Sequence, residues 1–246
     1  MAAHRAHRAH RVGRIGSGMT TGVYIVSAPS GSGKTTLVER LLREVPRLRF
    51  SISYTTRKPR RSEQDGRDYF FVTRDEFQQM IARQELLEWA EVFGNYYGTS
   101  RRFLEEARAA NTDLLLDIDI QGARQVKEKL PEAVSIFILP PSRQVLEHRL
   151  RSRSQDSEEV IAKRLEDARR EIHGYIRYDY VLINEELDRS AKCLRDIVLA
   201  ERWRRKGRLA GEAPAESLET IREIAESCRT ARVQDQVQPI LQSFGG

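Results

Sequence analysis

Apolar residues in this chain fall into short runs set between polar stretches of helical length. Val23-Tyr24-Ile25-Val26-Ser27 reads as a buried strand, and Thr35–Glu44 as the helix that follows it. Phe50–Tyr54 and Asp68–Val72 read as short strands, the second leading into a helix opened by the capping box Thr73-x-x-Glu76. Leu86–Phe93 carries a mixed signal, Leu114–Ile118 is β-rich, and Ser135–Leu139 reads as another core strand. Gln144–Arg151 and Glu158–Tyr175 read as charged helices, Tyr180–Ile183 as the last strand and Leu187–Lys206 as a long helix. Strands alternating with helices predict an α/β fold, a parallel sheet covered by helices on both faces. The piece Ser51–Tyr97 breaks the alternation and reads as a small β-rich insertion.

The flanks differ from this body. Met1–Gly18 repeats His-Arg-Ala and then turns Gly-rich; it cannot build a core and is expected to be disordered, an extension upstream of a natural start at Met19. Gly207, Gly211 and Pro214 mark a linker, beyond which Ala215–Arg232 predicts a helix with Leu218, Ile221, Ile224 and Ala225 along one face. That face suits docking on the body or on a second copy of the chain, and the extension is expected to be unnecessary for chemistry.

Composition narrows the class. Hydrophobic residues at 39% and charged residues at 32% suit a soluble globular enzyme, and no apolar run approaches the ~20 residues of a membrane helix. The net charge of +6 includes Arg5, Arg8, Arg11 and Arg14, so the rest of the chain carries +2 (6 − 4) and shows no nucleic-acid surface. Cys193 and Cys228 form neither a metal motif nor a disulfide framework and read as reduced thiols of a cytoplasmic protein.

The strongest chemical signal is Ala28-Pro29-Ser30-Gly31-Ser32-Gly33-Lys34-Thr35, a phosphate-binding loop between strand and helix in which Ala28 replaces the first Gly. Its glycines let backbone N–H groups converge on phosphate oxygens, and the helix N-terminus adds positive potential. Lys34 would bridge the β- and γ-phosphates of a nucleotide, and the Thr35 hydroxyl would ligate Mg²⁺. Asp117 and Asp119 end an apolar strand at the sheet edge where α/β ligands bind, and are candidates for holding the ion. Ser53-Tyr54-Thr55-Thr56-Arg57-Lys58-Pro59-Arg60 bunches cations with hydroxyls, so Arg57 and Arg60 suit a bidentate clamp on a second phosphate.

With these segments stand Gly66-Arg67-Asp68-Tyr69-Phe70-Phe71-Val72, Leu87-Glu88-Trp89-Ala90, Gly94-Asn95-Tyr96-Tyr97-Gly98-Thr99, Leu116-Asp117-Ile118-Asp119-Ile120-Gln121-Gly122 and Pro140-Pro141-Ser142. Together they resemble the guanylate kinase family, from about Gly22 to about Arg204. The resemblance implies a P-loop NTPase-like core over 21–52 and 98–206, a GMP-binding insertion over about 53–97 and a helical lid over about 143–172. It implies transfer of a phosphoryl group from ATP to GMP, and to dGMP, in purine nucleotide metabolism, with Mg²⁺. By the same resemblance Ser53, Arg57, Arg60, Tyr69 and Tyr97 hold the GMP phosphate, while Glu88 and Thr99, with Asp117 nearby, read guanine. Thr36 and Asn184 join the loop in binding ATP, and Arg149, Arg153 and Arg164 swing over the phosphates from the lid.

The chemistry agrees with that implication. Guanine presents N1–H and N2–H₂ as adjacent donors, and one carboxylate accepts both; adenine has no such pair. Two rivals remain at this stage. Another nucleoside monophosphate kinase would lack the Ser53–Arg60 segment and Glu88 in this arrangement. A non-catalytic, protein-binding module of the same fold would typically lose the loop Lys or the lid arginines, all of which are present.

Overall fold

The computed structural model describes residues 21–92, 94–153, 157–207 and 216–245. The expectations for Met1–Gly18 and for a linker at Gly211 and Pro214 lie outside the described residues. In chain order the elements are β1 (Val23–Ser27), α1 (Lys34–Glu44), β2 (Leu48–Phe50), β3 (Tyr54–Thr55), β4 (Phe70–Phe71), α2 (Arg74–Ala82), β5 (Leu86–Val92) and β6 (Asn95–Ser100). There follow α3 (Arg101–Ala109), β7 (Asp113–Asp117), α4 (Ile120–Lys129), β8 (Val134–Leu139), α5 (Arg143–Arg153), α6 (Glu158–Ile172), β9 (Tyr180–Ile183), α7 (Leu187–Lys206), α8 (Leu218–Ser227) and α9 (Gln234–Ser243).

The main sheet is wholly parallel, in the order β2-β7-β1-β8-β9. Alternate side chains of its strands enter opposite cores, because successive Cβ atoms point to opposite faces. On one face Ile25, Leu116, Phe137 and Leu139 pack with Val126 of α4, Leu146 and Leu150 of α5, and Leu165 of α6. On the other, Val26, Leu115, Ile136 and Ile138 pack with Leu37 and Leu41 of α1 and with Leu194 and Ile197 of α7. Among the described residues no helix is long and apolar enough to cross a membrane.

A second sheet, β4-β3-β6-β5, carries α2 and rises from the C-terminal edge of the first. The expected strand Phe50–Tyr54 is therefore two: β2 belongs to the parallel sheet and β3 to the small one, with the chain changing sheets in between. The expected strand Asp68–Val72 is shorter, at Phe70–Phe71, while Asp65 and Asp68 turn their carboxylates onto the backbone N–H groups of Phe71 and Gln64 (both 2.8 Å). Helices α3 and α4 fill crossovers that the hydrophobic pattern left without an element. The capping box forms as expected, with Thr73 N–H donating to Glu76 at 2.7 Å.

Beyond Lys206 the helix expected over Ala215–Arg232 is shorter, at Leu218–Ser227, and α9 follows it beyond Arg232. In α8, Ile221 and Ala225 are buried against α7, Leu218 faces solvent, and the chain turns before α9. Val237 and Ile240 of α9, with Phe244 just past its end, pack into the opposite core beside Leu146 and Leu150. The extension thus contributes to both cores of the body.

Candidate active site

The donor end is built from backbone. The chain leaves β1 at Ser27 and turns into α1, whose first residue is Lys34. Ser32 N–H closes the turn onto the Pro29 carbonyl at 3.1 Å. Gly33 has φ 88°, and a Cβ there would strike the Asn184 side-chain amide, so both conformation and space demand glycine. Ala28 is not among the residues of positive φ, so its methyl fits where the usual pattern has glycine. Asn184, expected to bind ATP, is buried, and its Nδ2 donates to the Ser32 carbonyl at 2.7 Å. It braces the loop.

Lys34 and Asp117 form an ion pair across the ends of the neighbouring strands β1 and β7. Burial pulls the Lys34 pKa down, but the charge and hydrogen bond of Asp117 reverse this and hold the ammonium above its ordinary range. Thr35 and Thr36 are exposed at the mouth of the loop. Asp119 instead caps α4, its Oδ1 accepting from Gly122 N–H at 2.8 Å. Among the described residues no cluster of three or more acidic, His or Cys side chains forms a metal cage. The oxygen donors present fit Mg²⁺ held chiefly by nucleotide phosphates, with Thr35 and Asp117 as protein ligands, the usual mode for that ion. Of Asp119, expected as a further ligand, Oδ1 is engaged as the cap and Oδ2 accepts from Gln121 Nε2 at 3.4 Å.

The acceptor end is built from side chains. Arg57 Nε donates to the Tyr97 hydroxyl at 3.2 Å, and its guanidinium lies 5.4 Å from the Tyr69 ring centroid. Tyr69 meets Tyr97 edge to face at 6.0 Å, so three expected phosphate residues do converge. Tyr69 has its pKa raised first by burial and then by the charge of Asp117, which marks it as a bridge between the two ends.

The arginine fork faces a partner that sequence reasoning missed. Nη1 and Nη2 of Arg57 donate to the two carboxylate oxygens of Glu63 at 2.9 and 2.8 Å, and Nη1 also donates to the Lys58 carbonyl at 2.9 Å. Among the described residues this leaves one Nη2 N–H to offer a phosphate, so the bidentate grip is made on Glu63. Arg57 holds the Glu63 carboxyl below its usual range. Arg60 gives its backbone N–H to the same carboxylate at 2.7 Å, and its side chain is 70% exposed. Glu63 sits three residues after Arg60, and that spacing was the available signal. Ser53 is half-buried, with its carbonyl accepting from Phe70 N–H at 2.9 Å.

Glu88 lies on a strand, and a bulge aims it. The β5–β6 register slips between Leu86 and Glu88, so Leu87 and Glu88 are both buried although adjacent. Leu87 enters the main core, while the Glu88 carboxylate lies opposite Thr99 and over the N-terminus of α4. A Cβ on Gly122 would collide with a Glu88 oxygen, so the bare backbone of Gly122 leaves the carboxylate its place. Helix α4 also grips the edge of β5: Gln125 Nε2 donates to the Trp89 carbonyl at 2.6 Å and Oε1 accepts from Trp89 N–H at 3.2 Å. Burial, with a smaller push from Asp119, raises the Glu88 pKa to about 7 against the hydrogen bonding of Thr99.

The lid residues lie on two helices, Arg149 and Arg153 on α5 and Arg164 on α6. Arg149 on α5 donates from Nη2 to the Asn184 carbonyl at 2.9 Å, and burial lowers its pKa. Arg164 is half-buried on α6, and the side chain of Arg153 lies outside what the structure describes. A turn or two beyond Arg164 on the same helix is Glu171, a second residue missed in the sequence. Burial raises its pKa to about 7, opposed by the charge of Lys34. Its offset of seven residues from Arg164 would have put it on the same helix face.

A family model described as guanylate kinase matches residues 20–201. The chain belongs to the guanylate kinase family. A guanylate kinase of Koribacter versatilis is 52% identical over 229 residues, covering 92% of this chain and 97% of its own length. That of Escherichia coli K12 is 53% identical over 184 residues, 74% of this chain and 89% of its own. The crystal structure of guanylate kinase from Anaplasma phagocytophilum superposes with a TM-score of 0.63 at 37% identity, over 75% of this chain and 87% of that one. A 229-residue match is longer than the chain up to Lys206, so guanylate kinases also share part of the extension.

Proposed function

We propose that this protein transfers the γ-phosphoryl group of ATP to GMP, giving ADP and GDP, and accepts dGMP by the same contacts. The observation that carries the reading is Glu88, a buried carboxylate opposite Thr99 in the second sheet, suited to accept from guanine N1–H and N2–H₂.

A GMP phosphate oxygen attacks the γ-phosphorus as the bond to the β-phosphate oxygen breaks. That oxygen is already anionic, so alignment and charge stabilisation suffice without a strong base. Lys34 steadies the β- and γ-oxygens, with the loop N–H groups around them. Arg57, Tyr69 and Tyr97 hold the acceptor phosphate, with Ser53 and Arg60 at its rim, and Glu63 orients Arg57 so that one N–H points to it. Asp117 pairs Lys34 until the nucleotides arrive. Thr35 and Asp117 would hold magnesium together with the phosphates, and the ion, when bound, would add charge neutralisation. Closure brings Arg149, Arg153 and Arg164 over the transferring group and excludes water.

The test is ADP formation from ATP and each monophosphate. Turnover with GMP and dGMP and far slower turnover with AMP is expected; absence of turnover with GMP, in a protein that binds both nucleotides, overturns the reading in favour of a binding module.

A further inference from the structure

Cys193 and Cys228 are the only cysteines of the chain, and the fold brings them side by side. Cys193 lies in the middle of α7, and Cys228 ends α8 in the extension. Their side chains are hydrogen-bonded to each other. The meeting is fixed by packing: Ile221 and Ala225 of α8 lie in the same core as Leu194 and Ile197 of α7. Cys228 is pinned further by its backbone. Its N–H donates to the Ala225 carbonyl at 3.1 Å, and its carbonyl accepts from Val181 N–H of β9 at 2.9 Å. Cys193 is partly exposed and Cys228 is buried, so one sulfur is open to a reagent and the other waits behind it.

We propose that this pair is a site of reversible thiol–disulfide exchange with small aliphatic disulfides such as glutathione disulfide, forming a staple between α7 and the C-terminal extension. Cys193 is the attacking group. The hydrogen bond with Cys228 brings its thiol down to about 7, against burial; Arg189 and Lys192 add to the effect and Asp196 opposes it. The same hydrogen bond, with burial, pushes Cys228 up and keeps it protonated.

The Cys193 thiolate attacks one sulfur of the small disulfide, forming a mixed disulfide and releasing one small thiolate. That thiolate takes the Cys228 proton, Cys228 attacks the Cys193 sulfur, and the second small thiolate leaves. Two protein thiols are oxidised to one disulfide while the small disulfide is reduced to two thiols. Neither cysteine belongs to the nucleotide site. The staple still matters for it, because α9 of the same extension packs against the lid helix α5, where Arg143 N–H donates to Ser243 Oγ at 3.0 Å.

The experiment incubates the full chain with glutathione disulfide, blocks remaining thiols by alkylation, and reads the intact mass and a peptide map. The wild type should lose both free thiols, retain no glutathione, yield a Cys193–Cys228 cross-linked peptide and recover on reduction. Cys228→Ser should stop at one retained glutathione on Cys193, and Cys193→Ser should stay unmodified under the same conditions. A wild-type protein that keeps two alkylatable thiols, holds glutathione as a stable adduct or forms only intermolecular dimers overturns the proposal, whether or not the variants fold.

Discussion

The two phosphate-binding ends of this site are made of different materials. The proposed donor end is eight consecutive residues that offer backbone N–H groups, shaped by Gly31 and Gly33 and braced by one amide, Asn184. The acceptor end draws Arg57, Tyr69, Glu88 and Tyr97 from four separate segments, and its key groups need holders: Glu63 for Arg57, and a bulge with a bare Gly122 for Glu88. A backbone site depends on local conformation and concentrates its side-chain chemistry in Lys34. A side-chain site distributes its function, so its parts should fail separately and by different kinetic routes.

The largest effect should come from the donor end. Lys34→Ala is expected to lower kcat by about 10³-fold or more with the melting temperature near wild type, since it removes charge at the transferring group. Near-normal kcat in a normally folded variant would remove the loop assignment.

At the acceptor end, Glu88→Gln keeps the size but sets a donor against a donor of guanine. It should cost about 3 kcal/mol in kcat/KM for GMP, roughly 10²-fold, with ATP binding little changed. Activity with AMP should rise relative to GMP. Steady-state kinetics with both monophosphates decide it, and unchanged base preference would strip Glu88 of its role.

The raised pKa of Glu88, about 7, gives a smaller and graded effect. Guanine needs the deprotonated carboxylate, so a proton must leave on binding. GMP affinity should therefore fall about tenfold per pH unit below the pKa and level off above it. In Glu88→Gln this dependence should vanish, leaving the titration of the GMP phosphate and of Glu171, whose pKa is also raised to about 7. An unchanged slope in the variant would assign the titration to those groups.

The smallest expected change separates holder from held. Glu63→Gln leaves Arg57 in place but loosens its fork, so KM for GMP should rise about tenfold while kcat stays within a few-fold, and Glu63→Asp should recover part of the loss. An equal fall in kcat at unchanged KM would mean that Glu63 acts in the transition state instead.

The sequence by itself determined the α/β class, the phosphate loop and the family, because each is written in contiguous residues. Val23–Ser27 is long and apolar enough for a buried strand, and the loop Ala28–Thr35 follows it at once. It also named Arg57, Tyr69 and Tyr97, but through resemblance, since nothing local says that residues 57, 69 and 97 meet. Tertiary structure alone decided the rest. Burial, a property of surroundings rather than of residue type, raised Glu88 and Glu171. The register slip at Leu87 left the adjacent residues Leu87 and Glu88 both buried, which an alternating pattern cannot express. Asp119 proved to be a helix cap, because α4 begins directly after it. The extension beyond Lys206 read as separable on composition, yet Ile221 enters one core and Val237 the other, since long-range packing is set by which faces a chain happens to cover. Cys193 and Cys228, remote in sequence, became neighbours for the same reason.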